Sequence, residues 1–146
     1  MISEWTTIAD LAWAAGIIDG EGSLHIARSR KYHLPQLRVE MCHRPTLAKL
    51  QEIFGGRLWH RKKPRTDKWR QTWNWHAQGS FLFPILKAIR PFMVTKANEA
   101  DIILNAEHLW FNCSTAALPL TLFEGREEVL KALKNAHHFE FKVDHG

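Results

Sequence analysis

Asp19 and Glu21 flank Gly20, with Gly22 after them, in the stretch AAGIIDGEGS at positions 14–23. Carboxylate oxygens are ligands for hard cations such as Mg²⁺. Two carboxylates brought close together repel and resist ionising together, and a divalent cation relieves that repulsion. Paired metals at such a site activate a water and stabilise the leaving oxygen of a phosphodiester. One chain supplies only one copy of this stretch. The chemistry therefore needs a second Glu21, and the question is what would bring it. A lone acid at a helix end is also an ordinary solvated residue, and that reading stays open on the acid alone.

The elements around the stretch suggest an answer. Thr7 to Asp10 fits the S/T-x-x-D/E pattern that opens a helix. Apolar residues follow at helical spacing through Ile18, so a helix is expected over about 7–20, stopped by Gly20 and Gly22. Glycine within a helix costs about 1 kcal/mol relative to alanine. Ala12, Gly16 and Gly20 recur every four residues and share one face. Small residues at that spacing let helix backbones approach closely. No second small-residue helix occurs in the chain. The expected partner is the same helix of a second subunit across a two-fold axis, which brings both Glu21 side chains together. Packing within one chain is the alternative.

The rest of the chain reads as alternating hairpins and helices. Residues 23–31 and 36–43 read as two strands, with 32–35 as their connection; Leu37, Val39 and Met41 alternate with polar residues. PTLAKLQEIFGG is a short helix, with Pro45 in its first turn and Gly55-Gly56 ending it. Strands over 57–62 and 70–76 flank a charged loop. In the second of these, Trp73 and Trp75 share one face, which points to core burial; stacking on single-stranded bases is the alternative. Helices are expected over 80–89, from a Thr95 cap to about Trp110, and over about 122–136. The order is an α+β fold, an antiparallel four-stranded sheet with helices on one face. It makes one domain over 1–146, with a core of about 7–111 and a C-terminal helical extension of about 120–138.

The composition fits an anionic partner. The 146 residues hold 20 Lys+Arg against 15 Asp+Glu, a formal charge of +5. The basic residues cluster over 57–70 and at Arg28, Arg30 and Lys31. Cys42 and Cys113 match no metal spacing, and no His pair combines with cysteine at finger spacing, which argues against structural zinc. Two cysteines make no disulfide framework, so a reducing, intracellular compartment is expected. There is no 18-residue apolar run, and MISEWTTIAD does not read as a signal peptide.

AAGIIDGEG resembles the LAGLIDADG motif of homing endonucleases, with Ala14 for the opening leucine, Gly20 for the later alanine and Glu21 for the second aspartate. LAKLQEIFGG resembles the helix after the first hairpin of that family. NWHAQGSFLFPILKAIRPFMVTKANEADIIL resembles the second half, so the likeness covers residues 8–110. The resemblance implies an αββαββα fold with a curved sheet, set in the major groove of double-stranded DNA by a homodimer. It implies that Glu21 and the Gly20 carbonyl hold Mg²⁺ or another divalent cation, and that Asp19 supports the helix end. It places a catalytic lysine at Lys96. Where many members carry glutamine at the end of the second strand, this chain has His43, which would position water, relay a proton or contact phosphate. It also implies an intron-encoded origin.

Each hairpin then offers a polar face. The candidate base readers are His25, Ser29 and Lys31 on strand 1, and Gln36, Arg38 and Glu40 on strand 2. His60 and Lys62 continue on strand 3, with Arg70, Thr72 and Asn74 on strand 4. A strand of about nine residues spans ~30 Å. A subunit would then cover roughly nine base pairs at ~3.4 Å each, and a dimer a pseudo-palindrome of on the order of twenty. Two rivals remain. One is a non-cleaving relative that assists RNA splicing or regulates transcription. The other is an interaction protein that uses the small-residue helix only to dimerise.

Overall fold

In the computed structural model, the described residues are 2, 4–29, 32–60, 71–110 and 120–144, of which 29, 120, 121 and 138–144 are described through their backbone. Lys31, Lys62, Arg70 and Cys113 lie outside them. The first helix, α1, spans Ile8–Glu21 and is opened by the expected capping box. Asp10 N–H donates to Thr7 Oγ1 at 3.1 Å, and Thr7 N–H to Asp10 Oδ2 at 3.2 Å. The helix does not stop at Gly20. It runs one residue further, and Gly22 N–H closes it on the Ile18 carbonyl. A Cβ at Gly22 would stand 2.6 Å from that carbonyl oxygen, so the helix-to-strand turn admits only glycine without a backbone shift.

Gly22 opens β1 (Gly22–Ser29), which pairs antiparallel with β2 (Tyr32–Met41) from Gly22↔Val39 to Ser29↔Tyr32. Residues 32–35, expected as the connection, are therefore strand. Pro35 is accommodated because it has only one strand neighbour: β2 pairs with β4 (Trp73–Gln78) only from Gln36 onward. Between them come α2 (Arg44–Phe54), with Pro45 in its first turn, and β3 (Arg57–His60). The strand order is β1-β2-β4-β3, all antiparallel. β4 begins at 73 rather than 70 and runs on to 78. The charged loop expected over 63–68 lies outside the described residues.

The return to helix is through a 3₁₀ turn at Gly79–Phe81 into α3 (Leu82–Ile89). A second 3₁₀ turn, Arg90–Phe92, precedes α4 (Ala97–Asn105), whose cap is Lys96 rather than Thr95. α4 ends before another 3₁₀ turn, Glu107–Leu109, so the helix expected to reach Trp110 is shorter. The last helix, α5 (Leu120–Asp144), is longer than expected and absorbs the tail through Asp144.

One sheet face meets the helices. Leu24, Ile26, Leu37, Val39, Trp75 and Ala77 point into a core with Ile18, Leu50, Phe54, Phe83 and Ile103. Trp75 is fully buried, as its alternation foretold. Its indole N–H donates to the Gly55 carbonyl at 2.9 Å, so the buried polar atom is satisfied at the end of α2. The next residue, Gly56, has φ +91°, and a Cβ there would lie 2.7 Å from the His76 carbonyl oxygen. Arg28 was counted with the basic clusters, but the register places it on this helix-facing side. It pairs with Glu127 of α5 at 3.0 Å, beside buried His33, whose Nε2 is 2.9 Å from the same carboxylate oxygen. The His33 contact, then the Arg28 charge, hold the Glu127 carboxyl below its ordinary range.

Gly22→Ala is expected to destabilise the fold by about 1–3 kcal/mol, the scale of local backbone strain. The drop in melting temperature measures it; an unchanged melt would mean that the turn relaxes freely.

Candidate functional site

The end of α1 is held from the side. The Asp19 carboxylate accepts the backbone N–H groups of Val94 at 2.7 Å and Lys96 at 3.0 Å. Lys96 Nζ donates to the Asp19 carbonyl at 2.6 Å. The last carbonyls of a helix carry partial negative charge, and a cation there is favourable. Asp19 thus fixes the helix end, and Lys96 lies against it two residues before Glu21. Glu21 is exposed at the tip of the helix. Its oxygens and the neighbouring Gly20 carbonyl form a hard-donor set of the kind Mg²⁺ or Ca²⁺ takes. No group of three His, Cys, Asp or Glu side chains that could hold a metal occurs among the described residues.

Ala12, Gly16 and Gly20 are all exposed, and a Cβ added to Gly16 or Gly20 would meet nothing within 4 Å. Among the described residues, nothing packs against this face of α1. The same flank of the helix exposes Ala9 and Ile8, and Trp5 just before it is 88% exposed. His43 caps α2 just beyond the end of β2, and Glu21 just precedes the β1 residue paired with Val39. Both lie at the same end of the sheet. The His43 Nδ1 is 2.7 Å from Thr46 Oγ1 in the first turn of α2.

Among the described residues the other sheet face carries no helix and is mainly polar. Its registers form cross-strand rows. Ser23, Arg38, His76 and Arg57 make one row. His25, Gln36 and Gln78 make the next, toward the hairpin end. Glu40, Asn74 and Trp59 make the row nearest α1's tip. Within them, Gln36 donates to Gln78 at 3.0 Å, and Ser23 Oγ lies 3.4 Å from His25 Nδ1. Arg38 donates to Asn74 Oδ1 at 2.8 Å and to Glu40 at 3.3 Å, and Thr72 donates to Glu40 at 2.9 Å. Arg38 and Arg57 both lie over the Trp59 ring, at 5.7 and 5.4 Å, and His76 meets that ring edge-on.

Of the expected base readers, His25, Gln36, Arg38, Glu40, Thr72 and Asn74 fall together on this side. Asn74 is fully buried there, its carbonyl oxygen taken by Arg38. His60 does not belong with them. It pairs with Trp73 and turns to the helix-facing side, its ring edge-on to Trp73 and its Nδ1 2.7 Å from Gln71 Nε2. The phase error came from placing β3 without its partner. Ser29 is paired at the hairpin end of β1. Ser23, Arg57, Trp59, His76 and Gln78 were missed as candidates. The alternation of β4 already put His76 beside Asn74.

Solved structures with this arrangement are informative. The homing endonuclease I-CvuI, in complex with a DNA target, matches at a TM-score of 0.60 and 19% identity, over 88% of this chain and 98% of that one. The archaeal intron-encoded homing endonuclease I-Vdi141I, complexed with DNA, matches at 0.70 and 15% identity, over 87% and 83%. The LAGLIDADG meganuclease I-AabMI, bound to uncleaved DNA, matches at 0.62 and 14%, over 82% of this chain but 43% of its own. The chain has the LAGLIDADG homing-endonuclease fold. No family model matches the sequence, and no curated protein does. The chain spans less than half the length of I-AabMI and nearly the whole of I-CvuI. Among the described residues no helix is long and apolar enough to cross a membrane.

His76 supplies a pH test of the open face. Burial, then the charges of Arg57 and Arg38, push its imidazole below the ordinary value of 6.5. The unfolded chain therefore binds the proton first, and this group's share of stability falls as pH drops below about 6.5. An NMR titration is expected to give His76 a midpoint below that value and to show it rise in Arg57→Ala. A midpoint at 6.5 in both proteins would remove the charged row.

Proposed function

We propose that this chain is a homing endonuclease of the LAGLIDADG family, a homodimer that cuts a long pseudo-palindromic site in double-stranded DNA with a divalent cation, Mg²⁺ in the first instance. The observation that carries the reading is the end of α1. An exposed carboxylate tips a helix whose small-residue face meets no partner among the described residues, at one end of an open polar sheet. Family membership is supported by the motif and the fold together. Several of the fold neighbours are described with DNA, and three with calcium or magnesium. An intron-encoded origin is part of the same reading, since I-Vdi141I is described so.

In the dimer the two α1 helices pack along Ala12, Gly16 and Gly20, and their tips meet. The two Glu21 carboxylates and the Gly20 carbonyls would hold the cation, which would supply Lewis-acid stabilisation of the phosphodiester and a more acidic water. Lys96, already fixed at the helix end, places positive charge beside the scissile phosphate and orients the attacking water. His43, at the same sheet end, contacts phosphate or relays a proton. The open sheet lies in the major groove and reads bases through His25, Gln36 and Arg38, with Ser29, Lys31, Lys62 and Arg70 kept as candidate base readers from the sequence alone.

Cleavage of a duplex selected from a random library, with Mg²⁺ present, tests the chemistry. Glu21→Gln is expected to slow cutting by on the order of 10²–10³, the scale of losing one charge-stabilising group, while still binding. Equal cutting by both proteins would reject the assignment, and tight binding without cutting by the wild type would favour a regulator or splicing factor. Gly16→Leu tests the dimer. A Cβ there meets nothing within 4 Å among the described residues, so the fold is expected to survive and sedimentation to show monomers. A Gly16→Leu dimer would place the interface elsewhere.

A further inference from the structure

Resting on the reading of the open sheet as a DNA surface, we propose that Arg38 is a guanine reader in the inner part of each half-site, and that Asn74 and Glu40 are positioning residues that aim it rather than base readers themselves.

Asn74 is the first argument. It is 0% exposed, so its amide cannot reach a base edge, and its Oδ1 is spent on Arg38 Nε at 2.8 Å. Residue type and alternation had marked it as a base reader; the packing withdraws it. Glu40 is the second. One carboxylate oxygen accepts from Arg38 Nη2 at 3.3 Å and the other from Thr72 Oγ1 at 2.9 Å. A cytosine amine would have to share an oxygen already engaged by Arg38 or Thr72. The Trp59 ring, 5.7 Å from the guanidinium carbon, supports Arg38 from a third direction.

These contacts use two of the five N–H donors of the guanidinium and leave three. Two parallel donors match O6 and N7 of guanine in the major groove, the commonest specific arginine contact. Arginine held by three neighbours loses less freedom on binding than a free one, which favours base discrimination over a mere charge contact. The register places the contact. Arg38 pairs with Ser23, two residues beyond Glu21. At ~3.3 Å per residue that is about two base-pair steps from the helix tip. A two-fold dimer then requires one guanine on each strand, at mirrored inner positions.

The test is site selection from a randomised duplex library, with calcium in place of magnesium so that bound DNA is recovered, and with thermal melts of every variant. Wild type is expected to enrich guanine at two mirrored inner positions. Arg38→Ala is expected to lose that preference, roughly tenfold to a hundredfold in affinity for the guanine site over its variants, and to keep preferences elsewhere. Arg38→Lys, which keeps charge but not the fork, and Asn74→Leu, which removes the acceptor, are expected to weaken the same position. Asn74→Asp, which retains an acceptor for Nε, is expected to preserve it. Unchanged preferences in Arg38→Ala would overturn the assignment, as would loss of an adenine preference at a separate position in Asn74→Leu. If wild type enriches no sequence at all, the DNA-surface reading itself falls, and the Arg38 assignment with it.

Discussion

The Asp19 carboxylate, gripping the Val94 and Lys96 backbone N–H groups, is the constraint on which the rest depends. It ties the last turn of α1 to the segment entering α4. Gly22 then turns the chain directly into β1, with no room for a side chain against Ile18. Together they fix where the helix ends and which way Glu21 projects. Because the anchoring is done from one flank, the opposite flank of α1 stays bare. The two acids of the motif thus divide the work: one is consumed by the protomer's own structure, and the other is left exposed at the tip.

A single sheet separates the remaining tasks by alternation. One face supplies Leu24, Leu37, Val39 and Trp75 to the core, and it also carries Arg28 and His33 to Glu127 of α5. The other is left to polar side chains that hold one another. Arg38 is the centre of that layer, since its partners lie on β2 (Glu40), on β4 (Asn74) and, through Trp59, on β3. A sheet in which every polar side chain floats free would pay ordering entropy for each contact on binding. Here part of that order is already built into the fold.

Much of this was legible in the sequence, and for identifiable reasons. The capping box at Thr7 and Asp10, the glycine end of α2 and the alternation of β2 are local signals, and the structure has all three. The bare face of α1 was readable from the spacing of Ala12, Gly16 and Gly20. What failed depended on partners distant in the chain. His60 was given the wrong face because strand phase is set by pairing with Trp73, not by the strand's own four residues. Arg28 was grouped by charge, although its partner sits nearly a hundred residues away in α5. Asn74 was chosen by residue type, and only packing reveals its burial. Pro35 looked like a turn because its missing N–H matters only where a second strand neighbour exists.

The central claim is that the tips of two α1 helices meet. Glu21→Cys, with Cys42 and Cys113 replaced by serine, tests it by disulfide trapping, since a disulfide needs Cα atoms within about 7 Å. On mild oxidation with duplex present, the account predicts a covalent dimer forming much faster than for a cysteine at exposed Glu52 of α2. Equal, slow cross-linking at both positions would contradict it.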